Sequence, residues 1–251
     1  MNIWLLLATV AFGSILVWIL SEGRARDRFG NKIYKPIRLN LDQEKRLRLP
    51  LAPADAKAVT LVLDTETTGL PTEEGGLDPS LGRIAVLQLA WILLDQEGRK
   101  IEEHCHLLRQ LGVEVSAEVE NIHHISTERM LSEGREPRYV YELFVTRLVG
   151  LPTVVAHNAA YHLTVLQQDM QLHGVDPELL YHCPSFCTME SGVDAAHIVG
   201  AAGRWKLPKL RELFGVLCYG RPHLELVYSN KALSDVRMAA VVYNKLSQAG
   251  Y

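Results

Sequence analysis

The sequence predicts an α/β domain, a mixed β-sheet flanked by helices, preceded by one apolar N-terminal transmembrane helix. Three observations predict it. Residues 1–20 contain no charged side chain. From Val59 onward, apolar β-rich runs are followed by alternating segments of helical and strand character. The chain then closes on a long stretch in which Val236, Ala240 and Tyr243 recur on one helical face. At 251 residues the chain has room for one domain of roughly 200 residues plus an appendage. Its apolar share of 48% and charged share of 22% exclude bulk disorder.

The N-terminal run, MNIWLLLATVAFGSILVWIL, is long enough to cross a hydrocarbon core of about 30 Å as a helix. Trp4 and Trp18 lie near its ends, where interfacial aromatics are favoured. A cleaved signal peptide fits less well, because no basic segment precedes the run and the run exceeds the usual apolar length. Arg24, Arg26, Arg28, Lys32, Lys35 and Arg38 follow, against Glu22 and Asp27. Basic residues on one side of a span stay cytoplasmic, which predicts a single-pass membrane protein with its domain in the cytoplasm. The same basic segment suits anionic lipid headgroups. Removing the first 38 residues takes the formal charge from −3 to −7. Such a domain is not a general polyanion binder, so any nucleic-acid contact needs a local basic patch or bound metal.

Residues 1–20 are therefore the anchor, 21–57 a basic, Pro-containing linker and 58–251 the folded domain. Within it, residues 59–63, 83–94, 102–108 and 154–156 are the expected strands. Residues 139–149, 158–173, 209–217 and 233–247 are the expected helices, with Gly174 closing the second. Cys105, Cys183, Cys187 and Cys218 are too few and too scattered for a disulfide framework. Cys183, Cys187 and His182 lack a second pair at zinc-finger spacing and read as ordinary side chains.

The chemistry concentrates in Leu63-Asp64-Thr65-Glu66-Thr67-Thr68-Gly69-Leu70. Residues two apart on a strand point to one side, so Asp64 and Glu66 present two carboxylates together. Hard cations such as Mg²⁺ or Mn²⁺ prefer those ligands. Thr68-Gly69 allows a tight turn with backbone N–H groups turned to a ligand. Two further segments stand out, Val155-Ala156-His157-Asn158-Ala159-Ala160-Tyr161-His162 and Asn230-Lys231-Ala232-Leu233-Ser234-Asp235.

Together these resemble the three motifs of the DEDDh 3′→5′ exonucleases, the DnaQ-like proofreading class with a ribonuclease-H-like fold. Ile122-His123-His124-Ile125-Ser126 is similar to a fourth element, with His124 in place of glycine. Cys187-Thr188-Met189 and the stretch from Trp205 to Gly215 are similar to further ones. The resemblance implies that Asp64, Glu66 and Asp235 hold a divalent metal, Mg²⁺ or Mn²⁺, and serve catalysis. It also implies that Thr67, Thr68, Gly69, Leu70, His157 and Asn158 contact the 3′-terminal nucleotide. Two positions depart from the pattern. His162 stands where the second motif has an aspartate, and Asn230 where the third has its histidine base.

An imidazole is a poor ligand for Mg²⁺, and an amide takes no proton near neutral pH. His162 therefore reads first as an exposed helix residue in a vacated position, and second as a replacement ligand. His123, His124, His157 and His223 read as structural or solvated rather than as substitute bases. Arg204, Lys206, Lys209 and Arg211 form a basic cluster, either a solvated face or a nucleic-acid contact. Three functions fit this pattern. One is an impaired exonuclease on single-stranded DNA or RNA 3′ ends. Another is a catalytically dead pseudo-exonuclease that binds nucleic acid or a protein partner. The third is a phosphodiesterase on short oligonucleotides.

Overall fold

The computed structural model describes residues 26–70, 83–151, 153–200 and 203–251. The predicted anchor over residues 1–20 lies outside them. Among the described residues no helix is long and apolar enough to cross a membrane.

A five-stranded sheet organises the domain, in the order β4-β3-β2-β5-β6. The strands are β2 (Thr60–Thr67), β3 (Val86–Leu94), β4 (Lys100–Leu107), β5 (Thr153–Ala156) and β6 (Ser185–Cys187). β2 is central, antiparallel to β3 and parallel to β5. It is buried along its whole length, as its continuous apolar run requires. The alternation of its side chains divides the core. Leu61 and Leu63 face α3 (Pro137–Thr146) and α4 (Ala159–Leu172), where Tyr141, Phe144, Val165 and Leu166 pack. Val62 faces the other layer, with Val236, Ala239 and Ala240 of the terminal helix α9 (Lys231–Ala249). Asp64 and Glu66 share the parity of Val62, so the strand directs them to the side that α9 covers.

Each expected strand and helix is present, with ends moved by a few residues. The elements the sequence reading did not foresee are short. α1 (Ala117–His123) and α2 (Thr127–Glu133) are capped by the side chains of Ser116 and Ser126. α5 (Glu178–His182), α6 (Thr188–Ser191) and α7 (Val193–Ala196) connect α4 to α8 (Leu210–Tyr219).

Part of the segment read as a linker belongs to the domain. β1 (Ile37–Asn40) pairs in parallel with β7 (Leu224–Val227). Leu39, Leu41 and Leu47 are buried with Leu213, Phe214 and Val242 of α8 and α9. Burial of such leucines is worth about 1.5–3 kcal/mol each, which ties this stretch to the domain.

Candidate metal centre and cleft

Asp64, Glu66 and Asp235 converge. One oxygen from each carboxylate lies within 4.8 Å of the others. Two come from the central strand and the third from the first turns of α9, which is fixed on the sheet by Ala232 and Val236. Asp64 and Glu66 are buried, and Asp64 Oδ2 has no hydrogen-bond partner. A buried carboxylate oxygen without a partner is costly. Its neighbours are further carboxylates, so the donor set fits a hard divalent cation.

Lys231, which the sequence reading did not single out, enters the same cluster. Its Nζ donates to Glu66 Oε1 at 2.9 Å and to Asp235 Oδ2 at 2.7 Å. The only sequence signal was its i,i+4 spacing from Asp235. Burial opposes its charge, but Asp235, Glu66 and Asp64 hold its pKa well above the usual lysine range. Burial, then repulsion from Asp235 and Glu66, pushes Asp64 well above the usual carboxylate range. Glu66 rises to about 7, driven by burial and opposed by the Lys231 ammonium.

His162 is not exposed. It is 9% accessible and points into the site. Its Nδ1 lies 2.8 Å from Thr65 Oγ1 and 3.3 Å from the Thr65 N–H donor, which fixes Nδ1 as an acceptor. Its Nε2 lies 3.7 Å from Asp64 Oδ1. Burial, with His157 and Lys231 nearby, lowers its pKa to about 3, so the ring is neutral. The signal was available. Residues 162, 165, 166, 169 and 170 are the buried stripe of α4, and His162 is in register with it.

Asn230 is the N-cap of α9. Its Oδ1 accepts from the Leu233 N–H at 2.9 Å and from Cys105 Sγ at 3.6 Å. The side chain that stands in the base position is thus engaged in holding the helix end.

The cluster opens on a cleft of about 900 Å³. Leu70, Val119, Ile122, Met189 and Leu207 give it apolar walls. Of the expected nucleotide contacts, Thr67, Gly69, Leu70, His157 and Asn158 line the cleft, Asn158 in the left-handed conformation at φ 70° that starts α4. Several of them, and Thr68, also have polar groups engaged within the fold. The Thr68 N–H donates to the Ala85 carbonyl, and Thr68 Oγ1 accepts from the Ala85 N–H. That corrects the expectation of a Thr68 N–H turned to a ligand. Thr67 Oγ1 and Tyr161 Oη both donate to the Gly69 carbonyl, at 2.7 and 2.9 Å. His157 lies 3.0 Å through Nδ1 from Thr188 Oγ1 and 3.0 Å through Nε2 from the Pro208 carbonyl. Burial lowers its pKa to about 4, consistent with a structural histidine.

The other histidines divide similarly. His123 lines the cleft, and its Nδ1 accepts from the Ile125 N–H. Burial and Lys231 lower its pKa to about 4. His124 closes α1 at φ 60°, a conformation glycine adopts freely, so its backbone behaves as a glycine would. His182 pairs with Glu178 within α5. In the basic cluster, Lys206 is held by both oxygens of Glu212, while Lys209 lines the cleft.

Comparison with known proteins agrees with this geometry. The RNase_T family model, described as Exonuclease, matches residues 61–243. A search of curated proteins found no match. Among solved structures, Escherichia coli exonuclease I in complex with a dA16 oligonucleotide is similar at a TM-score of 0.59 and 14% identity, covering 77% of this chain and 42% of that one. The zinc-bound form of the E. coli enzyme with single-stranded DNA is similar at 0.57 and 14%, covering 77% and 41%. Exonuclease I from Methylocaldum szegediense gives 0.59 and 19%, covering 76% and 40%. At these identities the likeness is one of fold, and the chain spans less than half the length of those enzymes.

Proposed function

The chain belongs to the RNase_T exonuclease family, and from that membership we propose that it is a metal-dependent 3′→5′ exonuclease of reduced turnover. The substrate is the 3′ end of single-stranded DNA or RNA. The observation that carries this reading is the convergence of Asp64, Glu66 and Asp235 beside a cleft. The family uses divalent metals, and those three side chains would hold the ion. A divalent ion there supplies charge stabilisation at a phosphoryl oxygen and lowers the pKa of a bound water.

Two of the chain's own residues support a reduced turnover. Asn230 cannot take a proton and is committed as a helix cap. Loss of a positioned general base costs about 10²–10⁴ in rate. His162 contributes a neutral ring where the resemblance implies a carboxylate, so any second cation is held less strongly. Leu70 and the apolar walls of the cleft would receive a base, and Lys209 a phosphate.

A second reading, a pseudo-exonuclease that binds without cleaving, is favoured by the Asn230 cap and by the Lys231 ammonium on two of the three carboxylates. The domain's formal charge would also tolerate short oligonucleotides better than long ones. Incubating the full chain with 3′-labelled single-stranded DNA and RNA, in Mg²⁺ and separately Mn²⁺, separates these readings. Stepwise shortening that Asp64→Ala abolishes supports the exonuclease, and shortest-substrate preference supports a phosphodiesterase. Binding with no shortening in either metal leaves the pseudo-exonuclease.

The site works at a membrane in this account. The uncharged residues 1–20 would anchor the chain, and the basic residues after them would keep the domain cytoplasmic. Carbonate-resistant sedimentation with membranes, and protease access to the domain only from the cytoplasmic side, is the expected result. Release by carbonate would reject the anchor.

A further inference from the structure

The first turn of a helix is a poor place for a cation, because the backbone N–H groups there carry partial positive charge. Lys231 occupies that position in α9 and is half-buried. Its stem turns inward, and its ammonium sits between Glu66 and Asp235 at 2.9 and 2.7 Å. Those are two of the three carboxylates that converge, and the third, Asp64, keeps an oxygen without a partner. The ammonium thus satisfies part of the cluster and leaves the rest unmet.

We propose that Lys231 is a built-in counter-cation: it holds the carboxylates together when no metal is bound, and a divalent ion must displace it to bind all three. This rests on the reading of Asp64, Glu66 and Asp235 as a metal site. A lysine suits the role because its ammonium is a single charge on a flexible four-carbon stem, able to swing aside. Displaced into the cleft, it would meet the anionic backbone of a bound nucleotide. Metal and substrate binding would then favour each other, since substrate gives the released ammonium a new partner.

The test is a calorimetric Mn²⁺ titration of the full chain beside Lys231→Met and Lys231→Gln, the second keeping a neutral hydrogen-bond donor. Both variants should bind Mn²⁺ roughly ten- to a hundredfold more tightly, the effect of no longer breaking two charge-assisted bonds. Both should melt lower than the unaltered chain in EDTA, and saturating Mn²⁺ should narrow the gap. Equal or weaker Mn²⁺ binding by the folded variants overturns the role of Lys231 and leaves the metal site standing. No binding by any of the three proteins overturns the metal site, and the proposal with it. Should the variants fail to fold, ¹⁵N-lysine spectra of the unaltered chain decide. A slowly exchanging ammonium signal in EDTA should be lost on Mg²⁺ saturation, and its persistence overturns displacement.

Discussion

The end of β2 and the first turns of α9 build one site by different means. β2 contributes Asp64 and Glu66 from the middle of a sheet, where Leu61, Val62 and Leu63 are fully buried on both faces. Its geometry follows from core packing, and the carboxylates follow from strand parity. α9 contributes Asp235 from a helix start whose neighbouring residues have other tasks. Asn230 caps the helix and Lys231 neutralises its neighbours. The strand is a scaffold that presents ligands, while the helix start adjusts how available they are. Asn230 and Lys231 both fall on the helix side, the first as a cap and the second as a cation on two of the carboxylates.

This contrast can be broken from either side. The largest effect is expected at the strand. Leu63→Ala, at a side chain with no exposure, should cost about 2–5 kcal/mol in urea melts and weaken Mn²⁺ binding as well. Stability lost with unchanged Mn²⁺ affinity would mean that strand packing does not hold the ligands in place.

A smaller effect of opposite sign is expected at the carboxylate without a full set of partners. The Asp64 pKa is raised on folding, so ionising it costs stability as pH rises through the folded value. In EDTA at pH 8, Asp64→Asn should stabilise the chain by about 1–3 kcal/mol, and by less at pH 5. The same variant should lose Mn²⁺ binding. Destabilisation at pH 8 would show that Asp64 is satisfied without metal.

The smallest effect is expected at the helix start. Asn230→Ala should cost about 1 kcal/mol in thermal or urea melts, the value of an N-cap, without changing Mn²⁺ affinity. A change in affinity would give Asn230 a part in the site beyond capping.

The same contrast governs what the sequence made legible. The strand half could be read because its causes are local: an apolar run, then carboxylates two apart. The order of motifs along the chain supplied Asp235. Lys231 was missed because its partner Glu66 lies 165 residues away, and lysine at a helix start ordinarily reads as solvated. His162 was misread for a related reason. Histidine is polar enough to pass for a surface residue, although its register with Val165, Leu166, Asp169 and Met170 placed it on the buried stripe. β1 was taken as linker because four residues pair with a strand near the other end of the chain, and basic composition hid the buried leucines. The short helices α1 and α2 did carry cap signals in Ser116 and Ser126, but neither is long enough to show a period.

If His162 and Asn230 slow an exonuclease site, restoring an acid and a base at those positions should speed it. The most direct measurement is the rate of shortening of a 3′-labelled single strand in Mn²⁺ by the full chain, by Asp64→Ala, and by the His162→Asp/Asn230→His double variant. The account predicts slow shortening by the unaltered chain, none by Asp64→Ala, and a rate about 10²-fold or more higher in the double variant, the scale of a restored general base. Equal rates in the unaltered chain and the folded double variant, or shortening that survives Asp64→Ala, would contradict it.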